Sequence, residues 1–397
     1  MFAATGILSS EMSYTNAKNE DVESVKDALD DLYSKASCSE QSENDTNIFE
    51  FSSHIFELVD TNDHIYYHDG TLTQKSLGIG SGTSVLDAND GSYRYSGSNE
   101  IVNDNYVCFG YTDVSVCSSD NFATSDYAYR IIGIFDKGNC SSNAYTTRPS
   151  CEKAGLTWNS EHQVKIIKVT PFISNAYTTN WLWSGTSKVN NNPNNSYLLN
   201  NYEDSVLFNE VLNGTGTTTE ILKYNATEVT TVKTFLGNLD NKWQEMLATP
   251  TWYVGGNTNN KIVYTSPGRT YDNEIEYDST NNNLVGLIYP SEYGFGSSPE
   301  YWNLPLFATS NNDYRTAIND NWLFFNGTTG LTITRVNDSS NSYYEDKIYV
   351  VTTTGWVGIG SCYKNEYYYI HPTFYLESNV EVSGSGEIDN PYVLSVR

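Results

Sequence analysis

Short strand-like runs set among long polar connections limit this 397-residue chain to a β-rich fold. Nine runs carry the β-branched and aromatic residues that suit a pleated surface: 48–51, 106–111, 129–135, 164–169, 251–254, 284–289, 331–336, 347–352 and 372–376. Between them lie connections rich in Asn and Gly, such as Lys188-Val-Asn-Asn-Asn-Pro-Asn-Asn195. Two stretches, 202–212 and 231–247, have helical spacing instead. The expected class is therefore α+β and β-rich, a short N-terminal helix followed by a large head. The boundaries expected are 1–45 for a linker or oligomerising helix, 46–282 for a head with long loops and two helices, and 283–397 for a C-terminal lobe. The span 46–397 also reads as one continuous domain. Long irregular loops on a modest strand scaffold place function on the loops.

The N-terminal segment differs from the rest. Asn19-Glu-Asp supplies a helix cap and an acidic first turn, and Val22, Val25, Leu29, Leu32 and Ala36 follow at 3-4-3-4 spacing. That is an a/d seam, but two heptads are too few to hold a coiled coil alone. Two readings stay open: a collar that joins copies of the chain, as a homotrimer or a filament, or one amphipathic helix docked on the head.

From Val285 to Arg397, Tyr, Asn, Ser, Thr and Gly crowd out almost everything else. Tyr gives a large amphipathic contact area at little rotamer entropy, and Asn, Ser and Gly give adaptable hydrogen bonds, which is the chemistry of paratopes. The candidate ligand-binding rings are Tyr301, Trp302, Tyr343, Tyr344, Trp356, Tyr363, Tyr367 and Tyr368, with Asn341 and Asn365 as hydrogen-bonding partners. Trp302, beside Pro299-Glu and Asn303, is better placed than the other Trp residues to be a surface platform of the kind that stacks on sugars, with burial in the core as the commoner alternative. Trp181 and Trp183 alternate on one strand face and read as core.

Acidic residues outnumber basic ones 48 to 22, a formal charge of −26 that repels phosphate backbones and anionic membranes. Nucleic acid is thus excluded as a partner, and the charge keeps a Tyr-rich surface in solution. The same carboxylates make Ca2+ the one candidate ion, with no position assigned. Asp87-Ala-Asn-Asp90-Gly and Asp60-Thr-Asn-Asp63 lack the ligand order of an EF-hand and read as turns. His64 and His68 have a helical metal-ligand spacing. The Ile-Tyr-Tyr between them reads as strand, however, where such positions lie about 13 Å apart. No GxSxG, HExxH, P-loop or dinucleotide fingerprint occurs, so no catalytic residue is assigned and the chain is read as a non-enzyme.

Cys108/Cys117 and Cys140/Cys151 bracket short polar loops, as sequence-local disulfides would in an oxidising compartment. Six cysteines allow fifteen pairings, so connectivity stays open, with Cys38 and Cys362 left over. No stretch approaches the roughly 20 apolar residues of a membrane span. Met1-Phe-Ala-Ala-Thr-Gly-Ile-Leu is too short for a signal peptide and lacks a basic start, so the leader or anchor of an exported chain is expected to lie outside this sequence.

A series of motifs carries a resemblance: Tyr93-Arg-Tyr-Ser-Gly, Asn105-Tyr-Val-Cys-Phe-Gly110, Tyr129-Arg-Ile-Ile-Gly-Ile-Phe135, Val164-Lys-Ile-Ile-Lys168 and Trp252-Tyr-Val-Gly-Gly256. Val285-Gly-Leu-Ile-Tyr-Pro-Ser-Glu-Tyr-Gly294, Asn321-Trp-Leu and Pro372-Thr-Phe-Tyr-Leu continue it. In this order they resemble exported surface proteins of Gram-positive-type gut bacteria whose ending is similar to a C-type-lectin-like domain of the formylglycine-generating-enzyme type. The N-terminal Gly6-Ile-Leu-Ser-Ser-Glu-Met element is similar to linker helices of such proteins and of phage tail fibres, which are typically trimeric. His371 stands where the group usually has Arg, and the catalytic cysteines of the formylglycine-generating enzymes have no counterpart, so no oxidase activity is implied. The resemblance implies that 283–397 is the C-type-lectin-like lobe, with 129–135 and 372–376 pairing to close it. The function expected is an extracellular adhesin or receptor-binding protein at the bacterial surface, with a glycan or protein ligand. The alternative is a structural subunit of a pilus or other surface filament, or a phage tail-fibre protein.

Overall fold

The computed structural model describes residues 49–59, 61–172, 202, 205, 207–218, 232–255, 265–276, 278–280, 283–307, 314–325, 329–336, 347–361 and 368–396. The helical seam Val22, Val25, Leu29, Leu32 and Ala36 lies outside the described residues, as do Cys38, Trp181, Trp183 and Cys362. Contacts gather Ile48–Arg397 into one unit.

In chain order the first elements are β1 (Phe49–Glu50), α1 (Phe51–Leu58), β2 (Ile65–Asp69), β3 (Asn89–Tyr95), β4 (Tyr106–Cys108) and β5 (Ala128–Asp136). Then come β6 (Asn139–Cys140), α2 (Arg148–Lys153), β7 (Trp158–Asn159), β8 (His162–Lys168), β9 (Thr217–Thr218), β10 (Val232–Lys233) and α3 (Asn241–Gln244). The remainder is β11 (Trp252–Gly255), α4 (Pro267–Ile275), β12 (Asp278–Thr280), β13 (Val285–Gly286) and α5 (Pro290–Phe295). After them follow β14 (Gly330–Arg335), β15 (Lys347–Val351), β16 (Val357–Ser361), β17 (Thr373–Tyr375), β18 (Val380–Ser383) and β19 (Tyr392–Val396). The chain is a β-rich α+β protein.

Ten strands make the main sheet, in the order β1-β18-β19-β4-β5-β8-β17-β13, with the β2·β3 hairpin joined to β5 through β3. Position follows from composition: Ala128–Ile134 and Gln163–Lys168 are buried without alternation, which only a strand covered on both faces can be. A second, five-stranded sheet runs β12-β11-β14-β15-β16. One continuous apolar core includes Ile131, Ile166 and Phe374 of the first sheet and Ile333, Ile348 and Val357 of the second.

Four expectations need correction. The strand expected at 48–51 is only two residues long, because Phe51 and Ile55 repeat at helical spacing and bury one face of α1. The helix expected at 231–247 is a short strand, a tight turn at Leu236–Asn238 and the four-residue α3. Gly237 and the Asn238-Leu-Asp240 turn residues interrupt it, and a Cβ at Gly237 would meet the backbone nitrogen of Gly216 at 2.6 Å. The helix expected at 202–212 is described only as one wide turn, Leu207–Leu212. The strands expected to pair, 129–135 and 372–376, are separated by β8, whose doubly buried run takes the central slot. The two ends of the described chain meet elsewhere in the sheet, where β1 pairs with β18 and β19 with β4.

The point that shapes the site is an irregularity in β5. Its register against β8 shifts between Ile131 and Gly133, and there its other edge changes partner, from β4 at Tyr106–Cys108 to β3 at Tyr93 and Arg94. The backbones approach so closely that a Cβ at Gly133 would meet the Tyr93 carbonyl oxygen at 2.2 Å. A residue without a side chain is therefore required at this bulge. Gly133→Ala should lower stability by about 1–3 kcal/mol, as overpacking against rigid backbone does. Urea unfolding checks this, and an unchanged midpoint would show that the bulge is free to relax.

Candidate functional site

Where β5 changes partner, Arg94 of β3, Lys165 of β8 and Tyr375 of β17 come level across one face of the main sheet, with Gly133 between the first two. Phe135 and Gln163 form the next row. Above them stand Tyr271 and Glu274 of α4, Tyr289, Ser291 and Glu292 at the start of α5, and Thr251 and Tyr253 of the β11 segment. Together they enclose a cavity of about 320 Å³. Its mouth is lined by Lys137 and Gly138, just before Cys140, and by Thr146 and Thr147 from the loop that the Cys140–Cys151 disulfide closes.

Two buried ion pairs make the floor. Lys165 Nζ lies 2.5 Å from Glu292 Oε1 and is ringed by Tyr289, Tyr375, Trp252 and Phe135, with centroids at 4.6, 4.9, 5.0 and 5.5 Å. The ring faces replace part of the hydration that an ammonium loses on burial. The other Glu292 oxygen accepts from the Tyr289 backbone N–H at 3.0 Å, so one carboxylate caps α5 and fixes the lysine. Arg94 pairs with Asp90 at 2.5 Å, donates to Ser92 Oγ at 2.8 Å, and lies over Phe135 and Phe295 at 4.9 and 5.0 Å.

Burial decides the charge states. It pushes the Glu274 carboxyl up to about 8, the Ser291 hydrogen bonds only partly opposing it, so Glu274 is protonated at neutral pH. Burial also lowers the Lys165 ammonium to about 8 against the pull of Glu292, which leaves it charged at pH 7. At Asp90 burial acts upward, but Arg94, His68 and the Ser92 hydrogen bonds outweigh it and hold the carboxyl below its usual range. Beneath Arg94, burial brings His68 down to about 3, so its ring is neutral. The charges of Asp90, Arg94, Lys165 and Glu292 then cancel.

None of the described residues expected to bind ligand lines this cavity. Trp302, a candidate surface platform, takes the buried alternative and is fully buried: its indole N–H donates to the Ser297 carbonyl at 3.0 Å. Its ring packs on Tyr66, His68 and Phe295, because the turn Pro299–Tyr301 folds it back onto β2. Tyr368, also expected to face a ligand, is buried at 2% exposure, its hydroxyl against Gly360, where a Cβ would meet it at 2.3 Å. Tyr301 is half-buried and donates to Asp320 at 2.9 Å, and Trp356 is half-buried with its edge on Phe307. Asn341, Tyr343, Tyr344, Tyr363, Asn365 and Tyr367 lie outside the described residues.

The cysteine spacing did indicate the bonds formed, Cys108–Cys117 and Cys140–Cys151. His64 and His68 flank and join strand β2 as read, and His68 turns inward against rings. Asp87 receives the Gly70 and Leu72 N–H groups at 2.9 and 3.0 Å, while Asp90 serves Arg94. Among the described residues no group of three or more His, Cys, Asp or Glu is placed to hold a metal, and no helix is long and apolar enough to cross a membrane. Sequence reasoning missed the cavity, although Arg94 between two tyrosines and Lys165 inside Val-Lys-Ile-Ile were its signal. A charge inside a strand buried on both faces demands a partner. Comparison with protein-family models, curated proteins and solved structures gives no match.

The sign of one pH dependence follows. Glu274 holds its proton in the folded chain to about 8, and an unfolded glutamate loses it near 4.5. Between those values the folded state binds more protons, so this group lowers stability as pH rises, by at most about 1.4 kcal/mol per unit. Glu274→Gln should unfold with a shallower decline from pH 5 to pH 8 than the parent chain. Parallel urea titrations across that range test it, and identical slopes would mean that Glu274 is ionised in the fold.

Proposed function

We propose that this chain is the ligand-binding head of an extracellular adhesin or receptor-binding protein, and that it takes one sugar unit of a surface glycan into the tyrosine-walled cavity. The observation that supports this is the union of ring faces from Tyr253, Tyr271 and Tyr289 with fixed polar groups in a space of about 320 Å³. Such a volume is at the lower end of small-molecule sites, the size for a single ring rather than an extended chain. The cavity is preorganised: its polar floor is held by buried ion pairs, and its mouth by the Cys140–Cys151 loop. Binding there needs little ordering of the protein. Glu274 and Glu292 are each engaged on both oxygens by neighbouring protein groups, which suits positioning rather than proton transfer. Disulfides belong to an oxidising location, and extracellular residence is part of the proposal.

A glycan array followed by calorimetry tests the reading. The parent chain should bind a restricted set of glycans, and Tyr271→Ala and Tyr253→Ala should each weaken binding at least about tenfold, or about 1.4 kcal/mol. Array binding untouched by both substitutions would place the ligand elsewhere, and a blank array would remove the glycan.

Self-association through 1–45 belongs to the same proposal, because a single shallow-affinity pocket gains avidity when several copies are joined. Light scattering should give a discrete trimer for the full chain and a monomer for residues 46–397. Monomers in both samples would leave the Val22–Ala36 seam as a helix docked on its own head, and polymers lost on truncation would favour a filament subunit.

A further inference from the structure

The polar groups on the cavity wall divide into those that the protein itself uses and those that it does not. Asp90 is engaged by Arg94 and Ser92, Glu274 by the Ser291 N–H and hydroxyl, and Glu292 by Lys165 and the Tyr289 N–H. Asp136 takes the Gly138 and Glu161 N–H groups and the Ser160 hydroxyl, with Arg148 at 3.8 Å. The Tyr289 oxygen accepts from the Tyr253 N–H at 2.8 Å, and the Thr147 hydroxyl is bound to Ser150. Arg94 Nη1 and Gln163 Nε2 have no partner, but both are buried beyond the reach of a ligand. Lys137, Thr146 and Thr251 are exposed, so water serves their polar atoms.

Three groups remain. Among the described residues, the hydroxyls of Tyr253, Tyr271 and Tyr375 make no hydrogen bond, and all three residues line the cavity. Unlike Arg94 Nη1 and Gln163 Nε2, these oxygens keep solvent-accessible surface. Tyr253 and Tyr271 are only half-buried. The three side chains come from β11, α4 and β17 and meet over one patch of the sheet. Tyr375 and Tyr289 both lie against Lys165, at 4.9 and 4.6 Å, and Tyr253 is tied to Tyr289 through its N–H. The Tyr271 ring lies 5.7 Å from the Arg94 guanidinium, which is level with Tyr375 and Lys165 across the sheet. Burial raises all three phenols above their usual pKa, and Asp90 raises each further, as Tyr253 does at Tyr271 and Tyr375. The hydroxyls and Asp90 are therefore within electrostatic reach of one another, and each phenol keeps its proton at neutral pH.

A hydroxyl both donates and accepts, so three of them match a ligand whose own groups do both, as the hydroxyls of a sugar ring do. A carboxylate only accepts, and its charge would need a free cation inside the cavity. Arg94 is bound to Asp90 and Lys165 to Glu292, while Lys137 stands outside, exposed at the mouth. An entering anion would also face the carboxylates of Asp90, Asp136 and Glu292, and like charges brought together at contact are strongly disfavoured.

We propose that the cavity selects a neutral sugar over an acidic one, with the ring hydroxyls exchanging hydrogen bonds with the hydroxyls of Tyr253, Tyr271 and Tyr375. This rests on the sugar-binding reading above and gives it a substrate class.

Calorimetry on the full chain tests the assignment with glucose, galactose, mannose, N-acetylglucosamine and fucose, and with sodium glucuronate and galacturonate. At least one neutral sugar should bind, and about tenfold or more tightly than either uronate. Tyr253→Phe, Tyr271→Phe and Tyr375→Phe keep each ring and remove a hydroxyl with no partner in the protein, so thermal midpoints should hold. Each should weaken the neutral sugar about fivefold, the effect of one neutral hydrogen bond. Against the deoxy form of that sugar lacking the partner hydroxyl, the same substitution should cost nothing, which a merely structural role would not produce. A uronate that binds as tightly as its neutral parent overturns the assignment and leaves the sugar reading standing. So do Phe variants that bind like the parent chain, or a loss identical for every deoxy form. Failure of every sugar with the parent chain overturns both.

Discussion

The contact on which the rest depends is the buried ion pair of Lys165 and Glu292. It ties the middle of the main sheet to the first turn of α5, between segments 127 residues apart in sequence. A lysine buried at that depth is costly unless its charge is met, and here a carboxylate and four ring faces meet it. The carboxylate is itself fixed by the Tyr289 N–H, so rotation of the glutamate would uncap the helix. Pairs of this kind add little net stability over an apolar replacement, and their effect is to specify one arrangement. The arrangement specified is the roof of the cavity over its floor.

That linkage explains why the cavity persists instead of collapsing. Apolar surfaces in the same place would pack together, since large residues such as Phe135, Tyr289 and Tyr375 surround it. Charged groups locked in ion pairs have no such freedom, and the bulge at Gly133 keeps Arg94 and Lys165 on one level without a side chain between them. Sheet geometry and electrostatics thus hold a preformed space, with the tyrosine rings as its lining.

Much of the scaffold was legible in the sequence because strands of this type leave a local trace. The runs at 129–135 and 164–169 announce a doubly covered centre, and close cysteine pairs announce their own loops. β3 was not legible, since Asn89-Asp-Gly-Ser-Tyr-Arg-Tyr95 spends polar residues on internal hydrogen bonds that only its neighbours reveal. The site was illegible for a related reason. Its tyrosines come from separate segments spread between 253 and 375, and no window of sequence gathers them. Composition pointed instead to dense clusters of Tyr and Asn. Two of the described rings among those candidates are tied inward, Trp302 by its indole N–H and Tyr368 by packing against Gly360. Tyr content marks contact area, but only burial tells whether the contact is with a ligand or with the protein itself.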